Sequence, residues 1–206
     1  SSQVYWTRDL AHKIDTQGLV GIKEFLEIAI TQLKDLTALV RTKLSKLGKK
    51  TMGALLVMEV HARDMVLRFI DKGVESQADF EWLSQLRYYW YDEIIPTSPG
   101  LDSSGLIAKM CQCVYPYGYE YLGNSGRLVI TPLTDRCYMT LMGALHIKLG
   151  GAPAGPAGTG KTETVKDLAK GMAVPCFVTN CGEGLDFKAM GKIFSGLIQV
   201  GGWGCF

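Results

Sequence analysis

The sequence has little net charge, few histidines and no long apolar run. Its 206 residues carry 22 Lys and Arg, 20 Asp and Glu and 3 His, for a net charge of +2. The one basic cluster, residues 46–50, is interpreted as a solvated helix end rather than a nucleic-acid surface, since cations suit helix C-termini. No stretch approaches the ~20 apolar residues of a membrane helix, and no signal-peptide pattern opens the sequence. We expect a soluble protein with no nucleic-acid or membrane partner.

The six cysteines lack the spacing of a metal site. Cys111 and Cys113 alternate, so both would lie on one side of a strand, and no C-x-x-C pair or nearby histidine completes a ligand set. We expect free, buried thiols in a reducing cytosol. The other four are Cys137, Cys176, Cys181 and Cys205.

One motif carries specific chemistry. Residues 155–162 read G-P-A-G-T-G-K-T and satisfy G-x-x-x-x-G-K-[ST], the phosphate-binding P-loop. Glycines allow backbone N–H groups to approach phosphate oxygens, and the following helix N-terminus favours the same anion. Lys161 would reach the β- and γ-phosphates, and the Thr162 hydroxyl would ligate Mg²⁺. The predicted nucleotide-binding residues are Gly155, Pro156, Ala157, Gly158, Thr159, Gly160, Lys161 and Thr162.

The context of this motif separates a nucleotide site from an ordinary glycine-rich loop. Residues 147–153 can form a short buried strand before the motif, and residues 162–172 read as a helix after it. Strand, loop and helix in this order are the structural setting that the motif requires. We therefore predict phosphate binding, with a purely structural loop as the alternative.

The N-terminal half predicts a bundle of three helices. Apolar residues recur at helical spacing over residues 19–47 with a stop at Gly48, and over residues 55–69 with a stop at Gly73. Ser76 and Asp79 resemble a capping box for a third helix that runs to about Trp90. His61 and the aromatic residues of segment 82–91 are interpreted as structural, because helical aromatics at this spacing usually pack against a neighbour.

The middle of the chain predicts strands and a possible base pocket. Alternation predicts strands over 107–115, 117–122 and 127–131 with a turn at 123–126, and Thr131 with Pro132 predicts the start of a helix to about residue 149. Its candidate core residues are Leu133, Cys137, Leu141, Ala144 and Leu145. An apolar helix entry shortly before a P-loop suits an adenine ring, although it would suit a plain helix start as well. The candidate adenine-binding residues are Leu128, Val129, Ile130, Thr131, Pro132 and Leu133.

Beyond the P-loop the pattern is that of a parallel α/β sheet. A strand over 175–179, a helix over 187–199 and the start of a third strand at 201–206 follow in order. Glu183 and Asp186 are interpreted as turn residues, and Glu163 and Asp167 as exposed helix residues. An ATP-hydrolysing P-loop enzyme also needs a Mg²⁺-binding carboxylate at a strand end. We expect it beyond Phe206, with the chain stopping inside a domain.

Three stretches together resemble dynein heavy chains, more narrowly the axonemal or ciliary type. They are residues 117–123 (YGYEYLG), residues 128–138 (LVITPLTDRCY) and residues 151–164, which contain the P-loop. The resemblance extends over essentially the whole chain. It implies that residues 1–110 are the mainly helical end of the linker, and that residues 111–206 are the first part of the first AAA+ module, incomplete and truncated before Walker B.

The resemblance also implies a function. Such a protein binds ATP or ADP with Mg²⁺ and is an ATP-driven, minus-end-directed microtubule motor of the cytoskeleton that powers cilia or flagella from the axoneme. Microtubules would bind through parts outside this chain, and intermediate chains, light chains and other heavy chains through the tail. No catalytic residue is expected within the chain, since Walker B would follow Phe206, so we expect no hydrolysis by residues 1–206 alone. A non-motor AAA+ or other P-loop NTPase with a helical regulatory domain, and a module holding nucleotide only structurally, remain alternatives.

Overall fold

The computed structural model describes residues 2–96, 102–123 and 125–206, arranged in two compact units. The first unit comprises residues 1–116 and 124–151, and the second comprises residues 117–123 and 152–206. Within the described residues, no helix combines the length and apolarity needed to cross a membrane.

The first unit begins with a helix that folds back on itself. Helix α1 (Ser2–Val40) departs from helical geometry at Gly18, where φ is 54° and ψ is −134°. Glycine suits this left-handed φ because it has no Cβ to clash. Lys13 on one side of the bend pairs with Glu24 on the other, so the two arms of α1 run back along each other.

Helix α2 (Lys46–Lys72) packs against both arms of α1. The Ser45 hydroxyl accepts a hydrogen bond from the Gly48 N–H, and Gly73 ends the helix in the left-handed conformation. The predicted helix over 19–47 with a stop at Gly48 is therefore wrong, because Gly48 lies in the first turn of α2. The basic residues 46–50 consequently begin a helix rather than end one.

The buried core of the first unit joins these arms to a short helix, α3 (Phe80–Leu83). Trp82 is fully buried, stacked on Trp6 at 6.0 Å between ring centroids and edge-on to Phe69 at 5.9 Å. Burying aromatic rings contributes most per residue to such a core. The cluster contains Leu10, Ala11, Ile14, Ile22, Phe25, Met65, Val66, Phe69, Val74 and Trp82.

A three-stranded antiparallel sheet follows, in the order β1 (Arg87–Pro96), β2 (Asp102–Met110) and β3 (Cys113–Pro116). The predicted third helix to Trp90 is wrong, since Tyr88 pairs with Ala108 and Trp90 with Leu106 across strands. Aromatic residues favour pleated strands over helices once a partner strand is present. The buried Tyr88 N–H donates to the Thr7 hydroxyl at 3.2 Å, which ties the sheet to α1.

The predicted hairpin around 123–126 is also wrong. The observed turn lies at Cys111, whose φ is 51° and whose N–H donates to the Leu83 carbonyl at 2.7 Å. Cys113 is buried on β3, whereas Cys111 lies in the turn rather than beside it on a strand. The expectation that the thiols are buried is therefore correct for Cys113 and wrong for Cys181, which is exposed. Residues 117–122 and 127–131 form no strand; Asn124 lies outside the described residues.

Helix α4 (Pro132–His146) begins as predicted. Thr131 caps it, Pro132 is the first helical residue, and Thr131 and Thr134 form a capping box with each other. Its buried residues are Tyr138, Leu141 and Met142, so Leu141 is confirmed as a core residue, whereas Leu133 is 72% exposed.

The second unit contains helices α5 (Lys161–Met172) and α6 (Phe187–Val200) and a parallel pair of strands, β4 (Cys176–Val178) and β5 (Trp203–Cys205). These four elements confirm the predicted order after the P-loop. The strand predicted over 147–153 does not form, and Ile147 and Leu149 are 63% and 59% exposed. A strand needs a neighbour to take up its backbone N–H and C=O groups, and this segment pairs with none in the described part of the chain.

Candidate functional site: the P-loop and its surroundings

The P-loop forms an exposed turn that leads directly into α5. Gly158 and Gly160 have φ of 76° and 79°, and Gly160 is the N-cap of α5 without any side-chain cap. Left-handed φ at both positions favours glycine, because side chains rarely adopt it. The first-turn N–H groups of α5 therefore remain available to an anion, which the positive end of the helix dipole also attracts.

Lys161 is folded over this loop. Its Nζ donates to the Gly155 carbonyl at 2.6 Å and to the Pro156 carbonyl at 2.7 Å. The Thr159 hydroxyl donates to the same Pro156 carbonyl at 2.9 Å, which helps to close the turn. The ammonium group thus lies at the loop that a phosphate would enter, as the motif predicts.

Thr162 is exposed in the first turn of α5, one residue beyond Lys161. A hydroxyl at this position can ligate Mg²⁺ that is shared with nucleotide phosphates. A Mg²⁺–nucleotide complex supplies charge neutralisation and an electrophilic γ-phosphate. The glycine backbone, the free N–H groups, Lys161 and the Thr162 hydroxyl form a donor set that fits such a complex.

The segment 117–123 packs at the other end of α5, within the same unit. Its Gly118 and Glu120 N–H groups donate to the carbonyls of Met172 and Ala173, both at 2.9 Å. These bonds satisfy carbonyls that a helix leaves unpaired at its C-terminus. The alternating pattern of this segment predicts a strand and gives no indication that the segment binds the C-terminal end of α5. Gly118, which lies between two tyrosines, is the sequence feature that could have indicated this contact.

Helix α5 also has a buried acidic side chain. Asp167 is 1% exposed, so its interpretation as an exposed residue is wrong, whereas Glu163 is exposed and pairs with Lys166 at 2.7 Å. Asp167 follows the apolar residues onto the buried face of α5, beside Leu168. Helix periodicity could have indicated this, since Asp167 lies four positions before Gly171, as Leu168 lies four positions before Met172, and all four residues are buried.

The predicted adenine-binding residues 128–133 belong to the first unit and the P-loop to the second. Val129 is 71% exposed, as are most of the neighbouring side chains, and Thr131 and Pro132 have their structural role at the start of α4. The prediction that these residues hold a base is therefore not tested.

Next to them, Asp135 lies in the first turn of α4 with an unusual environment. Burial raises the pKa of its carboxyl to about 6, against the lowering effect of the nearby Arg68 guanidinium. Its Oδ2 is buried without a hydrogen-bond partner among the described residues. Arg68 itself pairs with Glu81 at 2.8 Å, which leaves Asp135 poorly compensated.

The remaining candidate side chains behave as structural residues. Asp186 caps α6 by accepting a hydrogen bond from the Ala189 N–H at 2.8 Å, which agrees with its interpretation as a turn residue. His61 lies on α2, where burial lowers its pKa to about 4. Within the described residues, no group of three or more His, Cys, Asp or Glu side chains could hold a metal ion.

Comparison with known proteins agrees with this site. Residues 117–206 match the family described as the hydrolytic ATP binding site of dynein motor region. The match therefore begins at the segment that supports α5 and includes the whole P-loop.

Curated relatives match the chain over its whole length. It is 54% identical over 204 residues to mouse "Dynein axonemal heavy chain 1", covering 99% of this chain and 4% of that protein. It is 52% identical over 205 residues to rat "Dynein axonemal heavy chain 12" (100% and 6%) and 50% identical over 208 residues to human "Dynein axonemal heavy chain 6" (100% and 5%). The chain thus spans only 4% to 6% of the length of these relatives. At such identity over every described element, the chain belongs to the dynein heavy-chain family and resembles its axonemal members.

Proposed function

We propose that this chain supplies the phosphate-binding part of an ATP site in a dynein heavy chain. The observation that carries the proposal is the P-loop itself: left-handed glycines, an uncapped α5 N-terminus and Lys161 within 2.7 Å of two loop carbonyls. The match of residues 117–206 to a dynein ATP-binding family supports ATP as the nucleotide.

In this proposal each part of the loop has a separate role. The backbone N–H groups of residues 155–162, except at Pro156, which has none, would bind the phosphate oxygens. Lys161 would neutralise charge on the β- and γ-phosphates, and Thr162 would ligate Mg²⁺. Residues 128–133 would bind the adenine, with residues 1–110 as the end of the linker and residues 111–206 as part of the first AAA+ module.

At the level of the whole heavy chain, we propose an ATP-driven microtubule motor that powers cilia or flagella in the axoneme. The names of the relatives support this placement, since each is an axonemal dynein heavy chain. Binding of microtubules and of intermediate and light chains would belong to other parts of the heavy chain.

The experiment is a Lys161→Ala substitution in the full-length heavy chain that contains this segment. We expect ATPase activity to fall at least ~100-fold, because one phosphate-stabilising charge is removed from the transition state. Microtubule gliding on surface-bound protein should stop for the same reason.

The matched control is Lys166→Ala on the same helix. Lys166 forms an exposed ion pair with Glu163, and an ion pair in water contributes little because the solvent screens both charges. We expect this variant to retain ATPase activity and gliding. Undiminished ATPase activity and gliding of the Lys161→Ala protein would show that the loop holds nucleotide only structurally, and would refute the proposal.

A further inference from the structure

A groove of about 420 Å³ runs between the two arms of α1 and the side of α2, within the first unit. Its floor is apolar and aromatic, and its rim is acidic. Its lining includes Tyr5, Trp6, Asp9, Asp35, Leu55 and Glu59. We call this feature the acidic groove.

The charges of the acidic groove are incompletely balanced. Asp9 pairs with Arg8 at 2.8 Å, but Asp35 and Glu59 have no ion-pair partner among the described residues, and no Lys or Arg lines the groove. Glu59 is half-buried, and this burial raises its pKa. A carboxylate that is partly removed from water without a countercharge is stabilised by any cation that reaches it.

The aromatic floor of the groove contains a hydrogen-bond donor without an acceptor. The Trp6 Nε1–H is buried and has no acceptor within the described part of the chain. Buried polar groups in folded proteins are usually paired, so a buried donor without an acceptor requires an explanation. The exposed ring of Tyr5 at the rim can additionally bind a cation over its face, as it already does with Arg8 at 4.8 Å.

A second groove of about 570 Å³ lies between α1 and α2 and has the opposite sign. Its lining includes Lys34, Arg41 and Arg63 and contains no acidic residue. We call it the basic groove. Residues 34 and 35 are neighbours on α1, so acidic and basic side chains separate onto different faces of the same helix pair. The acidic groove can therefore select a partner by charge although the chain as a whole has a net charge of +2.

We propose that the acidic groove binds a basic amphipathic helix of a partner protein. Lys or Arg side chains of that helix pair with Glu59 and Asp35, and its apolar face packs on Trp6 and Leu55. This is the helix-in-groove mode of recognition, with charge complementarity fixing the choice of partner. The inference is independent of nucleotide binding.

The test measures fluorescence anisotropy of a labelled synthetic helix with leucines at helical spacing and lysines elsewhere, added to the 206-residue chain. A second peptide has glutamate in place of every lysine. We expect the lysine peptide to bind, and Asp35→Asn with Glu59→Gln to weaken it at least ~10-fold, since an interfacial charge pair loses one partner. In ¹H–¹⁵N spectra, the Trp6 indole signal, assigned with Trp6→Phe, should move on binding.

The matched control neutralises the basic groove through Lys34→Gln and Arg41→Gln, and lysine-peptide affinity should stay within ~2-fold because these side chains do not line the acidic groove. Charge reversal by Asp35→Lys with Glu59→Lys should transfer preference to the glutamate peptide, and circular dichroism should show that each variant retains its helices. Equal binding of both peptides, no binding, an unmoved Trp6 signal, or occupation by a second copy seen in sedimentation equilibrium would overturn the proposal.

Discussion

Replacement of His61 by Gln should flatten the pH dependence of the first unit's stability. His61 lies on α2 beside a small cavity of about 50 Å³ that is also lined by Trp6 and Met65. Burial lowers its pKa from the ordinary 6.5 to about 4, with a raising effect from Asp64 and a lowering effect from Arg127. The folded protein therefore keeps His61 neutral at pH values where the unfolded chain protonates it.

The sign and size follow from proton linkage. Between about pH 6.5 and 4 the unfolded chain binds more protons than the folded one, so stability falls as pH falls. With these two pKa values, lowering the pH from about 8 to about 5.5 removes about 1.4 kcal/mol of unfolding free energy through His61 alone. A protein with Gln at this position lacks that contribution, whereas all other titrating groups are shared.

The assay is urea unfolding followed by tryptophan fluorescence in a Trp203→Phe background. The remaining tryptophans are Trp6, Trp82 and Trp90, which all belong to the first unit, so the signal reports that unit alone. The measured quantity is the difference between the His61 and Gln proteins in the change of unfolding free energy from about pH 8 to about pH 5.5.

The control is His12→Gln, which removes an exposed histidine from α1. It should keep the pH dependence of the parent protein. Parallel pH profiles for the parent and the His61→Gln protein would refute the reasoning, because they would mean that folding does not change the proton affinity of His61.

Two further substitutions test local features. Asp135→Asn should raise the unfolding free energy of the first unit near pH 7 by about 1 to 2 kcal/mol. The pKa of Asp135 is raised from the ordinary 3.8 to about 6 in the folded protein, so stability is lost as the pH rises through this range and the carboxyl ionises. Unchanged urea midpoints at pH 7 would contradict this. Gly118→Ala should destabilise the second unit by about 1 to 3 kcal/mol, because a Cβ there would lie 2.4 Å from the Ala173 carbonyl oxygen. Trp203 fluorescence measures it, with Gly191→Ala, where nothing lies within 4 Å, as the matched control; equal stability of the two variants would refute the steric argument.

The second unit was largely predictable from the sequence. The P-loop glycines, the helix α5 that follows them and the order β4, α6, β5 depend on local patterns that the structure repeats. Thr131 and Pro132 likewise predicted the start of α4, because helix capping and the fixed φ of proline act within a few residues. The prediction that Asp167 is exposed is wrong, and it rests on the rule that a single acidic residue on a helix is normally exposed.

The first unit was less predictable because its elements depend on distant partners. The aromatic segment that forms β1 has helical spacing in sequence and becomes a strand only by pairing with β2. Apolar spacing continues past Val40, yet α1 ends there and Ser45 starts a new helix. Conversely, residues 147–153 have strand composition but no pairing neighbour among the described residues, and local sequence reports neither outcome.

The bend at Gly18 has a mechanical consequence for α1. Lys13 and Glu24 lie at nearly equal distances on either side of the bend, as do Trp6 and Gln32 on the acidic groove, so the arms form a hairpin whose free ends are adjacent. Tension applied between Ser2 and Val40 would separate the two arms stepwise, breaking the contacts between them one after another from the free ends toward Gly18. A straight helix of 39 residues would resist the same load along its whole hydrogen-bonded length. Because of Gly18, α1 can therefore extend when its two ends are pulled apart, whereas an unbroken helix would resist that extension.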